Sequence, residues 1–156
     1  MLTMNQTTGY AIVALSYIAE HDDELILAKD IAETADIPKS YLSKILRELT
    51  VSGLIFSKRG YHGGVSLARP ANDITLWEVL QATHGGNWEH KCLLGLSECS
   101  DEYPCPVHQF WAKEQGKIEL NLRRITLAQV VKHPREWRKR IWPKKLSAIV
   151  NRRGPE

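Results

Sequence analysis

Three cysteines and a histidine lie close together in the sequence, at a spacing that suits a soft metal centre. Cys92, Cys99, Cys105 and His108 follow the pattern C-x6-C-x5-C-x2-H. Thiolates bind zinc and iron–sulfur clusters, and an imidazole can complete either ligand set. An odd number of cysteines in a chain of cytosolic type argues against a disulfide framework. The pattern therefore predicts a metal-binding or redox-active segment.

The residue types alone leave the nature of this site open. The donors suit an iron–sulfur cluster, and they also suit structural zinc, although short zinc knuckles usually use closer cysteine pairs. Metal-free thiol redox chemistry is a third interpretation. Cys105 lies at the start of a predicted helix, whose N-terminus favours the thiolate form.

Length and composition limit the kind of protein that carries this segment. The chain has 156 residues, of which 43% are hydrophobic and 25% charged, so it has the size of about one domain and is not disordered as a whole. This length excludes a barrel enzyme. No segment reaches the roughly 18 consecutive apolar residues of a membrane-spanning helix, and residues 1–10 lack a secretory pattern. We expect a cytoplasmic protein.

The net charge of +3 is divided into blocks of opposite sign. Residues 1–37 carry one lysine against seven acidic groups, and residues 38–70 carry six basic groups against one glutamate. Residues 71–131 are acidic again, and residues 132–156 carry nine basic groups against two acidic ones. Clustered lysine and arginine bind polyanions because they release condensed counterions from phosphates. Two basic blocks thus predict contact with nucleic acid, and a solvated surface is the alternative.

The first basic block coincides with the pattern of a helix-turn-helix. Apolar residues at three- and four-residue steps predict a first helix over about 8–21, and the apolar run 25–27 predicts a short strand. A second helix and a third, which begins near Pro38, flank a short turn at 34–37. The inward face of the third helix is predicted to consist of Leu42, Ile45, Leu46 and Leu49. Polar residues at its start are able to reach base edges: Lys39, Ser40, Tyr41 and Lys44.

A glycine-rich hairpin follows this helix. Residues 54–57 and 65–68 predict two strands, and the loop 58–64 predicts a wing between them. Arg59 at the tip is expected to enter a narrow minor groove, where the negative potential is greatest. Phosphate cradling by the glycines is a weaker interpretation, because neither common nucleotide-binding pattern is present. Tyr61, His62 and Gly63 share the wing and are expected to contact DNA with it.

The remaining helical segments are predicted from caps and periodicity. Thr75 with Glu78, and Thr126 with Gln129, form capping-box patterns that start two helices. Between them, residues 105–124 carry a nearly heptad apolar stripe that needs a partner helix or the packing of its own domain. The predicted fold is mainly α, a winged helix-turn-helix with a two-stranded β wing and a long dimerisation helix.

Two motifs carry a resemblance to a known family. The segments IPKSYL at 37–42 and RGYHGGVSLA at 59–68 resemble the winged-helix regulators of the Rrf2 family, which includes the IscR and NsrR types. The similarity runs from residue 8 to about residue 131. It implies a homodimeric transcription regulator, not an enzyme, whose third helix lies in the major groove of double-stranded DNA while the wing contacts the minor groove. The chain then divides into a winged helix-turn-helix domain at 1–83, a cysteine segment at 84–108, dimerisation helices at 105–131 and a basic tail at 132–156.

The resemblance also bears on the cysteine segment. IscR-type members bind an iron–sulfur cluster through three cysteines and a histidine shortly after the third. The residues that match this order are Cys92, Cys99, Cys105 and His108, with one residue more between the first two cysteines than in that type. NsrR-type members use an aspartate of the first helix of the other subunit, and the matching residue here is Gly9, which cannot be a ligand. Asp101, Glu102 or an exogenous ligand are alternatives to His108.

The function implied by the resemblance is a regulator whose DNA affinity responds to a 2Fe–2S or 4Fe–4S cluster, and so to iron, redox state or nitric oxide. The alternative is a winged-helix regulator with structural zinc or no metal, controlled by a protein or small molecule. The basic tail lies beyond the similarity, and Trp137 and Trp142 lie among its cations. Contact with DNA or docking on the protein's own dimer is favoured there over a membrane surface.

Overall fold

A computed structural model of the chain describes residues 5–21, 24–60, 62–84, 92–95 and 100–133. Its helices are α1 (Gln6–Ala19), α2 (Ala28–Ala35), α3 (Lys39–Val51), α4 (Leu76–His84), α5 (His108–Arg124) and α6 (Leu127–Val131). The two strands are β1 (Ile55–Lys58) and β2 (Gly64–Leu67), and a 3-10 turn spans Ala71–Asp73. The predicted mainly α winged-helix class is therefore confirmed. Cys99, Tyr61, the segments 85–91 and 96–99, and residues 134–156, which include most of the predicted basic tail, lie outside the described residues.

The first three helices pack their apolar faces into one core. All four residues predicted to face inward on α3 are buried. Helix α1 begins earlier than its apolar periodicity predicts, because the Asn5 side chain caps it by accepting a 2.8 Å hydrogen bond from the Thr8 N–H. Burial of each large apolar side chain contributes about 1.5–3 kcal/mol. The most deeply buried side chains of these helices include Leu15, Ile18, Ile31, Leu42, Ile45 and Leu49.

The turn between α2 and α3 lies slightly later than predicted. Helix α2 continues through Ala35, and Asp36 then takes a left-handed conformation with a φ of 53°. Aspartate tolerates this region because its short polar side chain bonds locally. Ile37 is buried, and Pro38 is the N-cap of α3, where its missing N–H costs nothing. Residues 34 and 35, which were predicted to belong to the turn, are therefore helical.

The wing is an antiparallel hairpin whose base is attached to the helical core. Its register pairs Ile55 with Leu67 and Lys58 with Gly64, so each strand is shifted by one residue from the prediction. The strand predicted at 25–27 is a single bridge, in which Ile26 and Val65 exchange two hydrogen bonds of 2.9 Å. The bridge holds the wing beside α2.

Helices α4 and α6 start at the same junction, and both predicted capping boxes are confirmed. The Glu78 carboxylate accepts from the Thr75 N–H at 2.8 Å, and the Gln129 side chain accepts from the Thr126 N–H at 3.0 Å. Thr75 and Thr126 also form a bridge between the two segments. Leu127 is fully buried in the same core as α1, so α6 packs with the N-terminal helices.

Helix α5 begins at His108 rather than at Cys105, because the His108 N–H bonds to the Cys105 carbonyl at 2.9 Å and forms a turn first. Its buried face includes Trp111 and Leu122, and Leu122 packs with Trp77 of α4. Among the described residues no helix is long and apolar enough to cross a membrane.

Candidate DNA interface and cysteine segment

The exposed face of α3 carries lysine, arginine and serine side chains. Lys39, Ser40 and Lys44, which were predicted to meet DNA, are exposed, whereas Leu42 and Ile45 on the opposite face are buried. The same exposed face continues through Ser43 and Arg47, one helical turn further along. The helix carries no acidic residue in its first turn, so its N-terminal dipole and side chains together favour an anion.

Tyr41 is placed differently from the other predicted contacts of α3. It is half-buried, and its hydroxyl lies 2.6 Å from the hydroxyl of Thr7 on α1. Its ring meets the edge of Tyr10 at a centroid distance of 5.7 Å and an angle of 76°. The side chain therefore lies against α1 rather than on the exposed face of α3.

A groove separates α3 from the wing. Its volume is about 700 Å³, and cations of both elements line it: Arg47 from α3, and Lys58 and Arg59 from the wing. Among the residues that the structure describes, none of these three groups forms a salt bridge, and neither does Lys39 or Lys44. Their charge is therefore available to an external polyanion.

The glycines of the wing make its tight turn possible. Gly60 has a φ of 108°, a backbone conformation that residues other than glycine rarely adopt. Gly63 is buried, and a Cβ atom there would lie 2.3 Å from the Lys58 carbonyl oxygen. Its N–H bonds to the Gly60 carbonyl at 2.9 Å. His62 next to it is exposed, whereas Tyr61 lies outside the described residues.

Sequence reasoning did not single out Arg47 and Lys58. Both were visible in the sequence, since Arg47 follows Ser43 by one helical turn and Lys58 precedes Arg59. The prediction stopped at the first turns of α3 and at the tip of the wing. The groove shows that the last turns of α3 face the wing as well.

The cysteine segment is described only in part. Cys92 and Cys105 are half-buried, and Cys99 lies outside the described residues. His108 is 8% exposed, and its Nε2 lies 2.7 Å from a carboxylate oxygen of the exposed Asp101. His108, the predicted fourth ligand, and Asp101, one of the alternatives to it, are thus bonded to each other.

The donor types fit a soft metal centre, although the described part of the chain does not assemble one. Within it, no three histidine, cysteine, aspartate or glutamate side chains converge as metal ligands. Cys92 and Cys105 are both partly accessible. An imidazole held by a carboxylate, as His108 is by Asp101, is the arrangement that commonly orients a metal-ligating histidine.

A helix-turn-helix that packs on a buried core, the exposed cationic face of its third helix and a cationic wing beside that helix define a winged-helix DNA-binding protein. The chain belongs to the Rrf2 family: the family model, described as an iron-dependent transcriptional regulator, matches residues 4–133. This confirms the resemblance noted in the two sequence motifs.

Individual relatives agree with this assignment. A helix-turn-helix-type transcriptional regulator of Aquifex aeolicus is 30% identical over 132 residues, which cover 83% of this chain and 92% of the relative. The regulator IscR of Photobacterium profundum is 32% identical over 124 residues, covering 79% of this chain and 72% of the relative. These relatives are transcriptional regulators, which confirms the prediction that the chain is not an enzyme.

Solved structures share the fold. T. potens IscR superposes with a TM-score of 0.66 at 26% identity, covering 84% of this chain and 87% of that chain. CymR, the global cysteine regulator of B. subtilis, gives a TM-score of 0.71 at 20% identity, covering 86% of this chain and 99% of that chain. The chain is therefore an IscR-like transcriptional regulator of the Rrf2 family, and it shares its fold with CymR.

Proposed function

We propose that the protein is a homodimeric regulator that binds duplex DNA through α3 and the wing, and that its affinity responds to an iron–sulfur cluster held by its three cysteines. The observation that carries the DNA part is the groove between α3 and the wing, lined by Arg47, Lys58 and Arg59 without acidic partners among the described residues. Cations placed on two neighbouring elements match the two phosphate backbones that border a groove of DNA.

On DNA, α3 lies in the major groove and the wing follows the neighbouring backbone into the minor groove. Ser40 and Lys44 face base edges or phosphates from the first turns of α3. Arg59 enters the minor groove, and His62 approaches the backbone beside it, as does Tyr61 in this proposal. Gly63, which was predicted to contact DNA, is buried and contributes by allowing the tight turn of the wing. Arg47 and Lys58 bind phosphates at the border between the two elements.

A second copy of the chain pairs through α5. Two large apolar side chains on this helix, Phe110 and Leu120, are 60% and 50% exposed, and they lie outside the stripe formed by Trp111 and Leu122. Burial of such side chains favours association. A two-fold dimer places two copies of α3 about one DNA turn apart, so the operator is expected to be a palindrome.

The cysteine segment supplies the sensing part of the proposal. Cys92, Cys99 and Cys105 hold the cluster, and His108 completes the ligand set while Asp101 orients its imidazole. When bound, such a cluster supplies a group that is lost, oxidised or nitrosylated in response to iron supply, oxidants and nitric oxide. The supporting facts are the thiol spacing, the description of the family as iron-dependent and the relatives named IscR.

The alternative is a zinc-stabilised or metal-free regulator controlled by a protein or small molecule. The two proposals predict a different colour and a different metal content for the purified protein. We expect anaerobically purified protein to be brown, with iron and sulfide present and zinc absent. Colourless, iron-free protein that binds its operator at full strength would support the alternative.

The DNA part is tested separately, by selecting duplexes from a random library with the wild-type protein and sequencing them. A palindromic motif with a half-site spacing of about one DNA turn is the expected result. Equal affinity of the cluster-loaded and apo proteins for the selected duplex would contradict sensing and leave DNA binding intact.

A further inference from the structure

Helix α1 carries two adjacent threonines whose hydroxyls face two different helices. The Thr7 hydroxyl lies 2.6 Å from the hydroxyl of Tyr41, in the first turn of α3. The Thr8 hydroxyl lies 2.7 Å from the hydroxyl of Thr83, in the last turn of α4. The N-terminal turn of α1 therefore joins the start of the recognition helix to the end of α4.

The Thr8 side of this link has two arrangements of its hydroxyl protons. Asn5 Oδ1 accepts from the Thr8 N–H at 2.8 Å and lies 2.9 Å from the Thr8 hydroxyl, whereas the Thr83 hydroxyl lies 3.0 Å from the Val79 carbonyl. Each hydroxyl has one proton to donate. Either Thr83 donates to Thr8 and Thr8 to Asn5, or Thr8 donates to Thr83 and Thr83 to Val79. Both arrangements keep α1 bonded to α4, and Thr8 is fully buried.

The Thr7 side fixes Tyr41 from two directions. The edge-on contact with Tyr10 holds the ring, and Gln6 Nε2 donates to the Tyr10 hydroxyl at 3.1 Å. The neighbours of Tyr41 in the sequence, Ser40 and Leu42, are exposed and buried respectively. A shift of Tyr41 would therefore turn the residues that face DNA along with it.

We propose that Tyr41 is a positioning residue for the recognition helix, and that the Thr8–Thr83 pair couples it to the last turn of α4. The inference rests on the proposed function, because it requires α3 to bind DNA. Helix α4 ends at His84, and the chain continues from there to Cys92. Through this link, a movement at the end of α4 changes the angle at which α3 meets DNA relative to the wing.

The test is a double-mutant cycle with Tyr41→Phe, Thr83→Val and the double variant, measured as the Kd for the duplex selected by the wild-type protein. An unselected duplex of the same length is the second probe. Thr83→Ser keeps the hydroxyl and is expected to keep wild-type affinity. Ser16→Ala is the matched control, because this buried hydroxyl donates to the Ile12 carbonyl of its own helix at 2.7 Å. Urea unfolding checks that every variant folds.

We expect each single variant to weaken binding of the selected duplex about fivefold, the effect of one net hydrogen bond of about 1 kcal/mol. Binding of the unselected duplex is expected to stay unchanged. The double variant should lose no more than either single variant, because one break already interrupts the link. A selection repeated with Tyr41→Phe should return the wild-type motif.

Three results would overturn the inference. Losses that multiply in the double variant would show two independent contacts, and wild-type affinity of Tyr41→Phe would show that its hydroxyl positions nothing. A changed base at one position of the motif would make Tyr41 a base-reading residue. If the wild-type protein selected no motif at all, the proposed function would fall, and this inference with it.

Discussion

The imidazole Nε2 of His108 lies 2.7 Å from the Oδ1 atom of Asp101, and only the imidazole is buried. The exposed carboxylate thus holds a buried ring three residues after Cys105. This pair connects the loop that carries the cysteines to the first residue of α5. It suggests that Asp101 acts on the site through His108, instead of replacing it as a ligand.

Asp101→Asn tests this role. An amide orients the imidazole less strongly than a carboxylate does, and loss of such an outer partner typically lowers metal affinity about 10- to 100-fold. We expect faster loss of visible absorbance when anaerobic protein is mixed with an iron chelator. Glu33→Gln is the control, since Glu33 is an exposed carboxylate on α2 that is not among the candidate ligands. Equal rates in the two variants would contradict the role.

Arg47→Ala and Lys58→Ala test the groove. Each removes one cation that the proposed function places at a phosphate, so we expect affinity to fall for selected and unselected duplexes alike. The slope of log Kd against log salt concentration should become shallower by about 1 for each variant. Lys117→Ala serves as the control, because Lys117 lies on α5 and is paired with Glu114 at 2.7 Å. An unchanged slope would show that Arg47 and Lys58 do not contact DNA phosphates.

Gly63→Ala tests the geometry of the wing. The added Cβ would lie 2.3 Å from the Lys58 carbonyl oxygen, so the turn must open. We expect a loss of about 1–3 kcal/mol in the free energy of unfolding, together with weaker DNA binding. Ser66→Ala in β2 of the same hairpin is the comparison, and it should change stability much less. Urea unfolding and the Kd for the selected duplex are the measurements.

Glu78 gives the stability a dependence on pH. Burial raises the pKa of its carboxyl, but hydrogen bonds from Arg69 and Thr75 and the charge of Arg69 lower it by more, so the pKa is below its usual 4.5. A carboxyl with a lowered folded-state pKa stabilises the protein above its unfolded-state pKa, and this stability is lost as the pH falls through the folded-state pKa.

The measurement is urea unfolding of the wild-type protein and Glu78→Gln at pH 7 and in acid below pH 4.5. At pH 7 we expect the variant to be less stable by about 1 kcal/mol or less, because the carboxyl is partly exposed and screened. The difference should shrink in acid. Gln129→Ala removes the corresponding partner in the neutral capping box of α6, so its cost should not depend on pH. A pH-independent cost of Glu78→Gln would contradict the assignment.

Local patterns predicted most of this fold. The period of Leu42, Ile45 and Leu49 identifies the buried face of α3, because a helix returns to the same side every three or four residues. The end of α2 was misplaced, because the helix runs on to Ala35 and ends where Asp36 takes a left-handed conformation. The periodicity of apolar residues does not predict such backbone conformations.

The sites were predicted less completely for the same reason. The exposure of Lys39 and Lys44 follows from helix geometry, whereas the contact of Tyr41 with Thr7 joins residues 34 positions apart. The bond between Asp101 and His108 likewise depends on how a loop closes. The predicted metal ligands and the contacts of Tyr61 stay predictions.

The burial of Leu127 beneath α1 has a consequence for synthesis of the chain. Its N–H bonds to the Ile74 carbonyl at 2.8 Å, and its side chain fills the core that α1 and α3 share. On the ribosome, α1 and α3 are made first, yet the core that they share lacks Leu127 until residue 127 has left the exit tunnel. Cys92, Cys99 and Cys105 precede residue 127, so the whole cysteine segment has been translated when this core is completed.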